Sequence, residues 1–248
     1  MIKHKDLKFN VFRTRGEMGA AAGRNIEKKV NELLSVKEEI RMIFAAAPSQ
    51  NEVLDFLAAS ENIDWGRVTA FHMDEYIGLK DGARELFSAF LNEKLFARVK
   101  MKKVNLINSN TDLNEEIKRY SALITEAPVD IVCLGIGENG HIAFNDPLVA
   151  DFNDPHIMKV VRLDHQCRMQ QVNDGCFPSL NDVPEEALTL TIPALFNASH
   201  LFCVVPGERK RIAVYNTIYG PIDISCPASI LQRHPDCRFY FDTGSFGE

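Results

Sequence analysis

The sequence predicts an α/β protein, a single-domain three-layer sandwich around a mainly parallel, Rossmann-like sheet, on three observations. Short apolar, β-branched runs alternate with longer stretches of helical periodicity, the pattern of a parallel sheet covered by helices. No Gly/Ser/Pro-rich linker and no internal repeat divides the 248 residues, so 1–248 reads as one domain. With 46% hydrophobic and 25% charged residues, 14 Gly and 11 Pro, the chain can bury a self-sufficient core and is neither fibrous nor of low complexity.

In chain order, Phe9–Phe12 is the first candidate strand, followed by the stripe Met18, Ala22, Ile26, Val30 and Leu33 at helical spacing. Ile40–Ala46 is the next strand, and Val53, Phe56 and Leu57 mark the helix after it. Val68–Met73 precedes two helical stripes, Leu86, Phe90 and Leu91, then Leu113, Ile117, Tyr120 and Ile124. Val129–Gly135, Met158–Leu163, Leu201–Val205 and Arg238–Phe241 complete the strands. The stripes are core packing rather than cofactor sites. Pro147–His156 and Asn173–Pro184 are polar and turn-rich, and read as loops bordering a site.

Composition narrows the function. The six cysteines (Cys133, Cys167, Cys176, Cys203, Cys226, Cys237) lie at irregular spacings with no Cys-x-x-Cys pair, which reads as buried free thiols rather than a zinc site or disulfide framework. A net charge of −6 excludes a nucleic-acid partner, which needs a basic surface. The N-terminus, Met1-Ile2-Lys3-His4-Lys5-Asp6, has no apolar run after its positive charges, and no stretch approaches about 18 uncharged apolar residues. The expectation is a cytoplasmic protein without export or membrane contact, whose anionic substrate, if it has one, meets a locally basic pocket.

The strongest local signal is Leu134-Gly135-Ile136-Gly137-Glu138-Asn139-Gly140-His141-Ile142-Ala143-Phe144-Asn145-Asp146-Pro147, directly after the apolar run Val129–Cys133. Loops beyond the carboxyl ends of parallel strands form the ligand crevice of open α/β sheets. Gly135, Gly137 and Gly140 also satisfy the dinucleotide fingerprint, with Asp164 at about the distance that reaches a ribose. That fingerprint needs a helix opening at the third glycine, and Pro147 with the stripe-free segment Asp151–His156 argues against one.

Three more segments end on the same crevice. Asp74 falls at the carboxyl end of Val68–Met73, placed either as a general base or as a plain turn cap. Ser49, Gln50 and Asn51 open the helix after Ile40–Ala46, where free N–H groups and side-chain donors suit a phosphate, or where Ser49 or Asn51 is simply an N-cap. Leu201–Val205 leads into Arg209-Lys210-Arg211, of which Lys210 is expected to face the crevice.

Together these segments resemble the glucosamine-6-phosphate deaminase (isomerase) family, whose fold is shared with the 6-phosphogluconolactonases. The likeness is close in Met73-Asp74-Glu75-Tyr76 and in Gly140-His141-Ile142-Ala143-Phe144-Asn145. It implies a deaminase/isomerase of carbohydrate metabolism that turns a 2-amino-2-deoxyhexose 6-phosphate, of glucosamine or galactosamine, into the ketose 6-phosphate and ammonia. It also implies that His141, with Asn139 and Asp146, assists ring opening and that Asp74 moves the proton between C2 and C1. Ser49, Gln50, Asn51, Gly137 and Lys210 would bind the sugar phosphate, with no metal or organic cofactor. Family members range from monomers to hexamers, so a homo-oligomer stays open. So do a lactone hydrolase and a sugar-phosphate sensor without turnover.

The chain departs from the family pattern at Asn139, where an aspartate is usual, at Asp146, where a glutamate is usual, and at Ala47-Pro48-Ser49-Gln50-Asn51, which replaces a glycine-rich phosphate loop. The segment Arg168–Phe177 also differs from the part of the family that supplies an arginine, so no allosteric regulation is carried over.

Overall fold

The computed structural model describes residues 7–247. The hexapeptide Met1–Asp6, on which the reading of the N-terminus rests, and Glu248 lie outside the described residues.

The described residues form ten strands: β1 (Lys8–Phe12), β2 (Ile40–Phe44), β3 (Val68–His72), β4 (Asp74–Tyr76), β5 (Lys103–Asn105), β6 (Ile131–Leu134), β7 (Met158–Arg162), β8 (Glu186–Leu190), β9 (His200–Val205) and β10 (Cys237–Asp242). The helices are α1 (Arg15–Leu34), α2 (Asn51–Ala59), α3 (Phe87–Leu91), α4 (Leu113–Thr125), α5 (His165–Asn173), α6 (Ile192–Phe196), α7 (Arg211–Tyr219) and α8 (Thr243–Phe246). Seven strands form one parallel sheet in the order β1-β10-β9-β6-β2-β3-β5, and a small antiparallel sheet is ordered β4-β8-β7. The α/β prediction holds. The expected strand Met158–Leu163, however, joins the small sheet rather than the main one.

Strand β2 illustrates why the sequence folds this way. All five residues are buried, and they alternate between two apolar layers: Ile40, Met42 and Phe44 pack with α1 and α2, while Ile43 packs with α4 and α7. Each such side chain contributes about 1.5–3 kcal/mol when fully buried. The polar exception, Arg41, is satisfied: its guanidinium donates to the carbonyls of Leu123, Ile124 and Ala127 at the end of α4, where cations suit the helix dipole.

Two topological features place the site. The chain builds outward from β2 through β3 to β5, then returns to the other flank of β2 with β6. The loops leaving β2 and β6 therefore diverge, which opens a crevice at this switch point. At Met73 the chain leaves the main sheet and enters the small one, so that Asp74 pairs with Thr189 of β8.

Candidate active site

Loops from the carboxyl ends of four parallel strands converge on the switch point and enclose a cleft of about 490 Å³, counted out to open solvent. Ala45–Ala47 and Ser49 follow β2, Met73 and Asp74 follow β3, Gly135–Gly137 and His141 follow β6, and Lys210 follows β9. Of the residues anticipated from sequence, Asp74, His141, Gly137, Ser49 and Lys210 thus meet in one cavity.

His141 is held from behind. Its Nδ1 lies 3.0 Å from Asp146 Oδ1, at ion-pair distance though not aligned as a hydrogen bond, and Nε2 has no polar partner among the described residues. The imidazole lies across the Cα of Gly137: a Cβ there would sit 2.2 Å from His141 Cε1, so only glycine permits this ring position. Gly140, at φ +86°, turns the chain back beneath the ring. The turn beyond is fixed by Asn145, whose amide donates to the carbonyls of Ile142 and Leu190, and by Thr189 Oγ1, which accepts from Phe144 N–H. Gly140 thus opens a turn and not a helix. Asp164 caps α5 by accepting from Cys167 N–H. The geometry of the dinucleotide fingerprint is absent.

Asn139 and Asp146 do not line the cleft; they stand behind His141. Asn139 Nδ2 donates to Asp146 Oδ1 (2.9 Å) and to Asp164 Oδ2 (3.0 Å), while its Oδ1 accepts from His141 N–H (3.1 Å). Only an amide can bridge two carboxylates and still accept. Burial would raise the pKa of Asp146, but the contacts with His141 and Asn139 and the backbone N–H of Asp164 outweigh it and hold the carboxylate below its ordinary value. Asn139→Asp would remove both donations and set three carboxylates together. The expected outcome is a loss of about 2 kcal/mol or more at pH 8 in chemical denaturation, smaller at pH 5. A carboxyl group raised by like charges stabilises the fold at low pH and ceases to as pH rises through its folded pKa.

Asp74 is buried, and burial, followed by the neighbouring charge of Glu75, pushes its pKa well above the ordinary carboxylate range. Glu75 turns the other way and accepts from the N–H groups of Tyr76, Phe87 and Ser88, capping the start of α3. Lys210 is also buried, and desolvation lowers its ammonium to about 8 against the opposing pull of Asp174 and Glu138. It is the one Lys or Arg lining the cleft among the described residues.

The phosphate-loop expectation is corrected at two positions. Ser49 lines the cleft, but Gln50 turns inward to donate to Val204 O and Ser49 Oγ, and Asn51 lies outside the lining. Sequence reasoning missed Gln170 and Gln171, which α5 brings to the wall opposite. Gln170 Oε1 accepts from Glu138 N–H and ties α5 to the glycine-rich loop.

Ligand-type atoms of His141, Asp146 and Cys167 lie within 4.8 Å of one another. The donors around them do not suit a metal: both Asp146 oxygens already accept from N–H groups, of Asn139 on one and Asp164 on the other.

Residues 13–239 match the family model of glucosamine-6-phosphate isomerases/6-phosphogluconolactonase. The chain is 36% identical over 205 residues to glucosamine-6-phosphate deaminase of Listeria monocytogenes serotype 4a, covering 82% of this chain and 86% of that protein. It is 37% identical over 183 residues to the enzyme of the same name from Exiguobacterium sibiricum, covering 73% and 71%. Among solved structures, a monomeric glucosamine-6-phosphate deaminase superposes with a TM-score of 0.87 at 28% identity, over 97% of this chain and 99% of that one. The 6-phosphogluconolactonase of Thermotoga maritima superposes at 0.77 with 19% identity, over 96% and 99%, a likeness of fold alone.

Proposed function

Because the chain belongs to the glucosamine-6-phosphate isomerase/6-phosphogluconolactonase family, we propose that it works as one domain and deaminates a 2-amino-2-deoxyhexose 6-phosphate, of glucosamine or galactosamine, to the ketose 6-phosphate and ammonia. One observation carries the reading: a buried carboxyl group, an imidazole with a free nitrogen and a lysine share one cleft at the sheet's switch point.

His141 Nε2 takes the proton of the sugar's O1 hydroxyl and returns one to the ring oxygen, opening the pyranose to the aldehyde. Asp146, 3.0 Å from Nδ1, orients the ring while the proton is in transit. In the open chain the C2 proton is acidified by the aldehyde, and Asp74 removes it. A carboxyl group whose pKa is raised is the stronger base, and its conjugate acid persists long enough to deliver the same proton to C1. An N–H proton of the C2 amine passes to O1 by way of His141 as C1 is protonated, and the product is the imine at C2. Water adds there and ammonia departs, so that one amine and one water become one ketone and one ammonia.

At the other end of the cleft, Lys210 and the Ser49 hydroxyl complement the phosphate. Replacing Lys210 by Met is expected to raise KM about 10–100-fold with little change in kcat, the cost of a hydrogen bond to a charged group. In the unaltered protein, steady-state kinetics will show KM rising with pH through about 8, as the lysine loses its proton.

The proposal is tested by coupled detection of ammonia from glucosamine 6-phosphate and galactosamine 6-phosphate, beside hydrolysis of a phosphosugar lactone. Ammonia from neither amino sugar sinks it.

A further inference from the structure

The imidazole of His72 sits fully buried directly beneath Asp74, and its two nitrogens are both committed to main-chain groups. Nε2 lies 2.8 Å from the Ile107 N–H, a group that can only donate, so Nε2 is the acceptor. Nδ1 lies 3.0 Å from the Asp74 carbonyl oxygen, which can only accept, so Nδ1 carries the proton. The partners thus fix one neutral tautomer without ambiguity. Burial agrees, lowering the pKa of His72 to about 4.

The peptide of His72 is clamped as well. Tyr120, reaching up from α4, accepts from His72 N–H at 3.0 Å and faces His72 O at 2.8 Å with the same hydroxyl. The ring of Tyr120 packs edge-on against the imidazole. Three elements, the end of β3, the exit of β5 and α4, are therefore tied together at the residue two before Asp74. This is also where the chain crosses from the main sheet to the small one: β3 pairs up to His72, Met73 O accepts from Leu190 N–H and β4 begins at Asp74, so His72 is the last residue held by the main sheet and its ring reaches across to the Asp74 carbonyl.

We propose that His72 is a positioning residue for the Asp74 carboxyl group, its Nδ1–H holding the Asp74 carbonyl so that the side chain projects into the cleft at the height of the substrate's C1 and C2. The proposal rests on the reading of Asp74 as the base. His72 does not line the cleft and touches no substrate atom; it acts through the backbone of Asp74. Displacement of a reacting group by about 1 Å is enough to cost roughly 10²-fold in rate.

Two variants of opposite design test it. His72→Asn keeps a donor near the Nδ1 position and gives up the acceptor for Ile107. His72→Gln reaches the Nε2 position, keeps that acceptor and gives up the donor to Asp74. Wild type, both variants and Asp74→Asn are compared in kcat, KM and thermal unfolding, on whichever of the two amino-sugar phosphates the wild type turns over. His72→Gln is expected to lose about 10²-fold in kcat with KM within roughly twofold, while His72→Asn stays within roughly fivefold of wild type in kcat even if it is the less stable of the two. A kcat that follows thermal stability across the pair, or wild-type kcat in both, overturns the positioning role while Asp74→Asn remains inactive. Full activity of Asp74→Asn, or no turnover by the wild type, instead removes the reading of the base and the proposal with it. Tyr120→Phe gives an independent readout: loss of the clamp on the His72 peptide is expected to lower kcat about tenfold at unchanged KM, and an unchanged kcat counts against the proposal.

Discussion

Asp74→Asn is expected to lower kcat by about 10³-fold, within the range of general acid–base catalysis, while leaving the protein as stable as before or more so. The two halves of this result come from one cause. Burial and the neighbouring Glu75 raise the pKa of Asp74 in the folded state, so this carboxyl group favours folding when protonated, and that contribution is lost as pH rises through the folded pKa. At neutral pH and above, a neutral amide of the same shape relieves the fold of a buried charge. Steady-state kinetics and thermal unfolding at pH 8 check both. A fall in activity accompanied by an equal fall in stability would mean that Asp74 is a structural residue, and undiminished turnover would mean that it is not the base.

The second large effect is expected at Gly137, whose importance lies in what is missing from it. Alanine there would place a methyl carbon 2.2 Å from Cε1 and 2.4 Å from each nitrogen of His141. No small adjustment relieves overlap with a whole ring face, so the imidazole must leave its place over the loop and its contact with Asp146. The expected outcome is a loss of about 10²-fold in kcat and about 1–3 kcal/mol of stability, read by kinetics and by denaturation. Retained activity with an intact His141–Asp146 contact, seen in the imidazole NMR signals, would contradict it.

The main sheet was legible because its strands are apolar runs with turn signals at both ends, and the ends of β2, β3, β6 and β9 carried the residues that meet in the cleft. Helix α5 escaped for a physical reason. Of its buried residues only Cys167 joins the apolar core, while Gln170 and Gln171 line the cleft, so no apolar stripe marks its period. Strand β8 escaped because Ala187–Leu190 are all buried, which erases the alternation that announces a half-exposed strand. Strands β4 and β5 are three residues each, too short to show a pattern. Gln50 and Asn51 were misplaced because a loop's composition does not tell which of three adjacent polar side chains faces a ligand. In this turn Ser49 lines the cleft, and Gln50 fills the space beside Gly135. The role of Asn139 could not be read at all, since its partner Asp164 lies 25 residues away.

That last pair has a consequence for how such sites drift over evolutionary time. Asn139 and Asp164 together hold one amide and one carboxylate, and a third residue dictates which position carries which. An asparagine at 164 would cap α5 as well as the aspartate does and could donate to an aspartate at 139, but that aspartate would face Asp146 with no donor between them. The two positions can therefore exchange their side chains only if position 146 gives up its charge or gains another donor. Residues 139, 146 and 164 change together or not at all, although the sequence sets them far apart.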